Sequence, residues 1–349
     1  MGVPKLPDIL RTEDEIIATW KGDISKPLVS VRCAAYNHAL YIEDAIKGFL
    51  IQETDFPIEV WIHDDASTDG TRDIIEKYQK NYPRIIKTIL QDVNQYSQGV
   101  KPGSFMDPLC LGEYYAVCEG DDYWYDAGKL ARQVDVLQRH KDLDLCVHRA
   151  LKYDYESEKS TTVGIYGNAD GVIDLVDIIK KTHGHIPTAS TLIRALAHKD
   201  LQKFVRSQPG LTVGDIYLHF FGAKRGGAYY INATMSVYRL HVAGSFGSRY
   251  KKDVSLRYNH VESRVRSYVA LDDLDISDEV SNSLRDSSAD FILSYLKYPG
   301  NPYLKRLSIA RKYGGLLEFK DKALIYPITF IPFALGAAHR AMRLLKKTG

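Results

Sequence analysis

The chain has 349 residues, 45% of them hydrophobic, so it can bury one large core or two smaller ones. Its 46 basic and 44 acidic residues leave a formal net charge of +2, which gives no global electrostatic reason to expect nucleic acid as a partner. The four cysteines form no CxxC pair and three lie in apolar runs, which indicates reduced core thiols in a cytosolic protein.

Residues 1–26 are predicted to be a polar N-terminal extension with one short helix and no secretory signal. Strands and helices then alternate through residues 27–150. The predicted strands lie in "PLVSVRCAAYN", "IEVWIHDD", "IIKTIL", "EYYAVCEGDD" and "LDLCVHRALKYD", and the predicted helices in "ALYIEDAIKGFLIQ", "ASTDGTRDIIEKYQKNY" and "AGKLARQVDVLQRHKD". Residues 92–112 show no clear period and are predicted to be a loop. This alternation favours an α/β fold with a mostly parallel sheet and helices on both faces.

The alternation weakens over residues 151–245. We predict helices in "DGVIDLVDIIKKT" and "GDIYLHFFGAKRGG", and strands in "PTASTLIR" and "AYYINATMSVYRLH". Residues 27–245 are therefore predicted to form one domain in two halves, divided near residue 150. A helical region follows over residues 246–320, and residues 321–349 form a tail.

Two acidic pairs follow predicted strands. Asp64 and Asp65 end "IEVWIHDD", and Asp121 and Asp122 end "AVCEGDDYW". Ligands of open α/β sheets bind beyond the carboxyl ends of the strands, so both pairs could face one crevice. Carboxylates suit Mg²⁺ or Mn²⁺, and such a cation offsets their mutual repulsion beside a diphosphate. The alternative is a solvated surface turn, in which Gly and Asp are common.

Three stretches together resemble a known family. "VSVRCAAYNHALYIEDAI", "VWIHDDASTDGT" and "AVCEGDDYW" are similar, in order and spacing, to the successive motifs of the GT-A glycosyltransferases of family 2. The resemblance covers roughly residues 27–245. It implies a GT-A nucleotide-diphospho-sugar transferase fold, which is a Rossmann-like mixed sheet with helices on both faces, plus a helical C-terminal region.

The resemblance also implies a donor site. In the family, an acid of the "DDxS" motif holds the nucleobase, usually uracil, and that position is Asp65 with Asp64 beside it. The backbone near Ala34, Ala35 and Tyr36 would line the nucleotide.

The metal-binding motif of the family, often DxD, corresponds here to E-x-D-D. Asp122 takes the position of the final, metal-binding acid, and Asp121 would lie near the ribose. The departure at Glu119 leaves the contact of that residue open. The cofactor implied is Mn²⁺ or Mg²⁺.

The resemblance places three further residues in the second half. Asp215 of "TVGDIYL" matches the position of the catalytic base, although it could instead cap the helix that it begins. In "VYRLHVAGSF", Arg239 is a plausible partner of the donor diphosphate and His241 a plausible metal ligand. The alternative for His241 is a structural role, as for most histidines on strands.

The tail combines an apolar segment with a basic end. "ALIYPITFIPFALGAAHRAMRLLKK" has two prolines and is too short for a confident membrane span. Its pattern favours a segment lying in the membrane interface, which would place the protein in the cytoplasm, peripherally on the inner face of the cell membrane. The alternative is a hydrophobic helix packed on protein.

These observations favour an inverting, metal-dependent glycosyltransferase that moves a sugar from a nucleotide sugar, most simply a UDP-sugar, to a glycan or lipid-linked acceptor in surface polysaccharide biosynthesis. A sugar nucleotidyltransferase would need a Gly-rich, basic signature after the first strand, and "AAYNHALYIED" has none. A non-catalytic sugar-binding protein on the same fold would not need the acids at these positions. Dinucleotide binding is disfavoured because no GxGxxG follows the first strand.

Overall fold

The structure is a computed structural model, and it describes residues 3–181, 186–208, 210–211, 214–242, 246–298 and 300–317. The chain divides into two compact units. The first unit comprises Met1–Pro209 and Gly214–Ser245, and the second comprises Gly210–Val213 and Phe246–Gly349.

The first unit contains strands and helices in alternation. Its strands are β1 (Val29–Ala35), β2 (Ile58–Asp64), β3 (Ile86–Leu90), β4 (Tyr114–Val117), β5 (Tyr123–Trp124), β6 (Leu145–Asp154), β7 (Lys159–Val163), β8 (Gly171–Ile173), β9 (Leu192–Arg194) and β10 (Ala228–Leu240). Its helices are α1 (Glu13–Ile17), α2 (Ile42–Leu50), α3 (Thr71–Asn81), α4 (Gly103–Met106), α5 (Lys129–Arg139), α6 (Leu175–Lys181), α7 (Ala195–Ser207) and α8 (Asp215–Ala223).

The strands form one mixed sheet in the order β3-β2-β1-β4-β9-β6-β10-β5, with β7 paired to β6 and β8 to β10. Strands β1 to β4 run parallel to their neighbours in this set, and β6 is parallel to β10. Strands β5, β7, β8 and β9 pair in the antiparallel sense. The sheet is therefore less parallel than the alternation of elements alone suggested, and it agrees with the mixed sheet that the resemblance implied.

Each face of the sheet carries its own core. On one face, α2, α3 and α5 place apolar residues at helical spacing against the strands, including Ile46, Ile75 and Leu137. On the other face, a second cluster includes Met106, Leu218 and the inward side chains of β4 and β6. Helices therefore cover both faces, as predicted.

Three features differ from the sequence-based expectation. The stretch 92–112 contains the short helix α4 and a 3₁₀ turn at Tyr96–Gln98. Strand β4 ends at Val117, so the acidic motif lies in a turn beyond the ladder and not on the strand itself. Strands β5 and β7 and helix α7 were not predicted, and β8 lies in the stretch "DGVIDLVDIIKKT", which was predicted to be helical throughout.

The second unit is helical. It contains α9 (Phe246–Lys252), α10 (Val254–Asp272), α11 (Asp278–Lys297), α12 (Tyr303–Tyr313) and a 3₁₀ turn at Gly314–Leu316. Its core is built from the apolar faces of α10, α11 and α12, with Val265, Ile292 and Ile309 fully buried. The helical C-terminal region expected from the sequence is confirmed.

Across the described ranges, no helix combines the length and the apolar character needed to cross a membrane. The predicted tail, residues 321–349, lies outside the described residues.

Candidate active site

The first acidic pair lies where β2 ends beside β1. In the parallel register Ala35 is paired with Asp64, and the Asp65 amide donates to the Ala35 carbonyl over 3.0 Å. Asn37 and Ala66 then have positive φ values of 55° and 63°, so each chain turns sharply after its strand. The carboxyl ends of the two strands therefore open at one edge of the sheet.

The loops after β1 and β2 are joined by hydrogen bonds. The Asn37 amide donates to Ser67 Oγ at 2.9 Å, and the Thr68 amide donates to Asn37 Oδ1 at 2.9 Å. The His38 amide donates to Thr71 Oγ1 at 2.8 Å. Since side chains of one motif satisfy the backbone of the other, "AAYNH" and "DDASTDGT" form one structural unit.

Both acids of this pair are buried but differ in their partners. Asp65 accepts backbone amides from the next loop, Gln95 at 2.7 Å on Oδ1 and Tyr96 at 3.1 Å on Oδ2. Asp64 accepts the Ser67 amide at 3.2 Å, and its Oδ2 lies 3.5 Å from Arg72 Nε. Its Oδ1 is buried and has no hydrogen-bond partner in the described part of the chain.

Ala35 and Tyr36 lie where β1 ends, beside both acidic motifs. Ala35 is 3% exposed, whereas Tyr36 is 46% exposed. That their backbone lines the nucleotide stays a prediction.

The second acidic motif continues alongside β1 after β4 has ended. The Gly120 amide donates to the Ala34 carbonyl at 2.9 Å, and the Asp122 amide donates back to the Glu119 carbonyl at 3.0 Å. A Cβ atom at Gly120 would lie 2.9 Å from Nδ1 of His38 and 3.1 Å from Cβ of Ala35. Because a side chain has no room there, glycine brings the acidic turn directly onto the end of β1. The two acidic motifs thus flank the same strand end.

Burial and mutual repulsion perturb these carboxyls. Desolvation in the cavity, followed by the charges of Asp121 and Asp215, raises the pKa of Glu119 to about 7, although the residue keeps a solvent-exposed surface. Asp122 is 2% exposed, and burial followed by the charge of Asp121 raises its pKa well above the usual range. A site in which carboxylates crowd together in this way favours a bound cation.

Arg239 holds the acidic turn in place. Its backbone amide donates to Asp122 Oδ1 at 2.8 Å, and its guanidinium donates to the Asp121 carbonyl at 3.1 Å and to the Asp44 carboxylate. The guanidinium carbon lies 4.5 Å from the Tyr123 ring centroid, a cation–π distance. These contacts make Arg239 a positioning residue for the motif. The residue is 5% exposed, so its guanidinium is enclosed by the protein.

His241, directly after β10, is oriented by the carboxylate of Asp154 at the end of β6. Its Nδ1 lies 2.8 Å from Asp154 Oδ1 and 3.7 Å from Glu156 Oε2, and its φ is +60°. The histidine bond holds the pKa of Asp154 below its usual range. A carboxylate on one ring nitrogen is the common way to orient a histidine whose other nitrogen binds a metal. The structure thus supplies the orientation of the His241 ring.

Asp215 begins α8 and is partly buried. Gly214 occupies the N-cap position of this helix. Asp215 is therefore the first helical residue and not the N-cap. Asp215 and Glu119 line the same cavity, and the charge of Asp215 contributes to the raised pKa of Glu119. The second-half acid and the acidic turn therefore meet in one site.

The metal ligands expected from the sequence are Asp122 and His241. Among the residues that the structure describes, no three His, Cys, Asp or Glu side chains are arranged as a preformed metal site. The donor set nevertheless fits a hard divalent cation, since oxygens of Glu119, Asp121 and Asp122 crowd one turn and two of these carboxyls have raised pKa values.

His38 was missed by the sequence analysis. Its ring lies over Gly120, its Nε2 is 4.0 Å from Asp121 Oδ2, and its buried Nδ1 has no hydrogen-bond partner among the described residues. Burial lowers its pKa, opposed first by Asp121 and then by Asp69. Its position directly after "YN" in the first motif was the one signal that could have identified it.

A cavity of about 350 Å³ opens beside Glu119 and Asp215 on the face of the sheet covered by α7 and α8. Its walls include Ala34, Val117 and residues of α4, α7 and α8. This volume lies at the lower end of the range for small-molecule sites.

Part of the chain is similar in sequence to known proteins. Residues 30–201 match the family profile described as Glycosyl transferase family 2. An uncharacterized protein of Mycobacterium tuberculosis is 36% identical over 226 residues, covering 64% of this chain and 61% of that protein. TuaG of Bacillus subtilis, assigned to teichuronic acid biosynthesis as a glycosyltransferase, is 31% identical over 157 residues, covering 45% of this chain and 59% of TuaG. The match thus spans about three fifths of these curated relatives.

A solved structure agrees with this assignment at the level of the fold. S. aureus TarS 1-349 in complex with UDP-GlcNAc superposes with a TM-score of 0.63 at 17% identity, covering 85% of this chain and 83% of that chain. This likeness confirms the GT-A fold predicted from the sequence. Because residues 30–201 match the family profile and carry both acidic motifs on this fold, this part of the chain belongs to the family 2 glycosyltransferases.

Proposed function

We propose that this protein is an inverting, metal-dependent glycosyltransferase that transfers a sugar from a UDP-sugar to a glycan or lipid-linked acceptor in surface polysaccharide biosynthesis. The observation that carries the proposal is the convergence of two acidic motifs on the carboxyl end of β1, with Glu119 and Asp215 lining one cavity. Ligands of open α/β sheets bind at such strand ends.

The nucleotide end of the donor would lie over the loops that follow β1 and β2. Backbone at Ala35 and Tyr36 would line it, with Asp64 and Asp65 below. The buried Oδ1 of Asp64 supports this placement, because an orphaned buried acceptor gains from a donor group on a ligand. Asp65 would act through the loop at Gln95 and Tyr96, which its carboxylate already holds.

Asp122 would hold Mn²⁺ or Mg²⁺, with Asp121 toward the ribose and His241 as a further ligand. When bound, the cation neutralises the charge that develops on the departing diphosphate. The chain prepares this site by fixing the acidic turn with Arg239 and by orienting His241 with Asp154.

Asp215 would act as the general base. Its carboxylate takes the proton of the acceptor hydroxyl as the hydroxyl oxygen bonds to the anomeric carbon of the donor sugar. The bond from that carbon to the diphosphate breaks on the opposite face, so the configuration inverts. The diphosphate leaves with the electron pair of the broken bond.

The relatives support the wider setting of the reaction. The name of TuaG assigns it to teichuronic acid biosynthesis, and TarS was solved with UDP-GlcNAc. A UDP-sugar donor and a surface polysaccharide product are therefore the substrate and product classes that we propose.

The cellular location is proposed from the sequence. Residues 321–349 combine an apolar segment with a basic end, a pattern that fits peripheral association with the inner face of the cell membrane. Such a location would bring the site to a lipid-linked acceptor. Flotation of the full chain with anionic vesicles tests the association, and protein that stays at the bottom of the gradient contradicts it.

A donor screen tests the enzymatic proposal directly. Purified protein is incubated with a panel of UDP-, GDP- and dTDP-sugars, and nucleotide release is scored with and without Mn²⁺. We expect release from a UDP-sugar that depends on the cation. The proposal fails if no nucleotide sugar binds or turns over.

The role of Asp215 sharpens that test. Asp215→Asn removes the base but keeps the size of the side chain, so we expect turnover to fall by about 100-fold or more while donor binding persists. Asp200→Asn, at a solvent-accessible position on α7, is the matched control and should leave turnover at the wild-type level. Unchanged turnover in the Asp215 variant would remove this residue from the mechanism.

A further inference from the structure

The cavity beside Glu119 and Asp215 has charged groups of opposite sign in different parts of its wall. The two acids lie where the acidic turn meets the start of α8. Arg32, Lys101 and Arg206 also line the cavity, from β1, the segment before α4, and α7. Aliphatic side chains complete the wall, including those of Met106, Val117, Leu201, Val205 and Leu218.

Arg32 is largely committed to the protein. It is 5% exposed, forms an ion pair with Asp107, and its Nη1 lies 2.5 Å from Nε2 of His198. Because a guanidinium only donates, this contact makes Nε2 of His198 an acceptor and the ring neutral. The Nε of Arg32 is buried without a hydrogen-bond partner in the described ranges, so one donor in the cavity wall stays unused.

Lys101 differs from Arg32 because it has no carboxylate within 4.0 Å among the residues that the structure describes. Its Nζ lies 5.7 Å from the ring centroid of Tyr217, two residues after Asp215 on α8. Burial lowers the pKa of its ammonium group. A partly buried ammonium without an anionic partner is costly for the fold, and a ligand that supplies an anion removes that cost.

Lys101 belongs to neither acidic motif. It reaches the cavity from the segment before α4, whereas Glu119 and Asp215 reach it from the acidic turn and the start of α8. The cation and the two acids therefore come to one cavity from three different elements.

We propose that this cavity is a subsite for an acidic sugar. Lys101 binds an oxyanion carried by the sugar ring, either a carboxylate or a phosphate substituent, while the hydroxyl end of the same sugar faces Glu119 and Asp215. The aliphatic wall packs against the apolar face of the ring. This inference rests on the proposed transferase function. It adds that one of the sugars bound by the transferase carries an acidic substituent.

The test compares binding of matched glycosides by titration calorimetry or ligand-observed NMR. Methyl glucoside, methyl glucuronide and methyl glucoside 6-phosphate differ only in the group at C6, so the three probes separate a neutral sugar from a carboxylate and a phosphate. For the full-length protein we expect at least one acidic probe to bind about tenfold more tightly than the neutral one, as for a hydrogen bond to a charged group. Equal affinities for all three overturn the proposal.

Variants of Lys101 make the test specific. Lys101→Met should reduce the ratio of acidic to neutral affinity by about tenfold, and Lys101→Arg, which keeps the charge, should retain the preference. Lys203→Met, an exposed lysine of α7 outside the cavity wall, is the control and should retain the wild-type ratio. A ratio that survives Lys101→Met overturns the proposal.

A second comparison separates this subsite from the donor diphosphate. UDP and uridine are titrated against wild type and Lys101→Met in the presence of Mn²⁺. If the substitution abolishes the preference for UDP over uridine but leaves the glycoside ratio unchanged, Lys101 serves the diphosphate and the proposal is wrong. Because the glycoside titrations need no turnover, they give an answer even if the donor screen fails.

Discussion

Glu119, Asp121 and Asp122 lie within four positions, yet their surroundings differ. Asp122 is buried and accepts the Arg239 amide, whereas the Glu119 side chain opens into the cavity near Asp215. The sequence identified the group of acids, since a cation is the simplest reason to place them side by side. It assigned Arg239 to the donor diphosphate but could not predict its contacts to Asp44 and Asp121, because these join residues 195 and 118 positions apart.

The raised pKa of Glu119 predicts a stability that depends on pH. A carboxyl whose pKa is about 7 when folded, against 4.5 in the unfolded chain, binds more protons in the folded state between these values. The contribution of this proton to the free energy of unfolding is fully present below about pH 4.5. It is lost as the pH rises through about 7. Burial raises the pKa of Asp122 in the same direction.

Glu119→Gln tests this pH dependence of stability, because glutamine keeps the size of the side chain but does not ionise. In the presence of a chelator, the free energy of unfolding of the wild type should fall between pH 5 and 8, and the variant should flatten that fall by on the order of 1 kcal/mol, a value reduced for solvent access. Urea unfolding at each pH gives the measurement. Glu76→Gln, at an exposed position of α3, is the control and should follow the wild-type profile. Parallel profiles for wild type and Glu119→Gln would contradict the prediction.

At the scale of elements, the sequence predicted the strands and helices whose apolar residues are spaced by burial against the core. Strands β1, β2, β3 and β6 are apolar runs, and α2, α3 and α5 have apolar residues at helical spacing, so these elements were predicted within a few residues. Strand β7 was missed because its sequence, "KSTTV", is polar and largely exposed and becomes a strand through its pairing with β6. Helix α7 was missed although Leu201, Phe204 and Val205 have the spacing of an apolar face, a signal that was present.

The packing of α2 on β5 depends on one glycine. A Cβ atom at Gly48 would lie 2.5 Å from the Trp124 carbonyl oxygen and 2.9 Å from its backbone nitrogen. Both atoms belong to the main chain of the strand that follows the acidic turn, so they cannot yield as a side chain would. The helix therefore lies against this strand at a separation that only glycine allows.

Gly48→Ala should therefore destabilise the protein although alanine is the better helix former by about 1 kcal/mol. We expect the free energy of unfolding to fall by about 1–3 kcal/mol, as for overpacking in a core. Gly314→Ala is the control, because Gly314 has φ −61° and ψ −18° and no atom near the position of its Cβ. Urea denaturation of both variants is the measurement, and an unchanged or higher stability for Gly48→Ala would show that β5 can move away.

At the scale of the whole molecule, the site depends on topology that local patterns only partly reveal. Parallel pairing of β1 with both β2 and β4 brings the two acidic motifs to one edge, and this followed from the order of strands and helices. The cavity did not follow, because Lys101, Arg32 and Arg206 come from three separate parts of the chain. No spacing in the sequence connects a loop lysine to an arginine in the middle of a strand.

The distribution of tryptophans allows donor binding to be followed in the first unit alone. All three, Trp20, Trp61 and Trp124, lie in that unit, and the second unit has none. Tryptophan fluorescence therefore reports unfolding of the unit that carries the acidic motifs, whereas helical circular dichroism reports both units. A ligand that binds only the folded first unit must shift the fluorescence transition.

UDP with Mn²⁺ should raise the free energy of unfolding seen by fluorescence by about 2.7 kcal/mol when UDP is present at 100 times its dissociation constant. Asp122→Ala should remove the part of this shift that depends on Mn²⁺, because its carboxylate is proposed to hold the cation beside the diphosphate. Asp135→Ala, whose exposed side chain pairs only with Arg139 among the described residues, is the matched control and should keep the full shift. A Mn²⁺-dependent shift that persists in Asp122→Ala would move the cation to other ligands. If wild type shows no shift with UDP, the strand-end crevice does not bind this nucleotide.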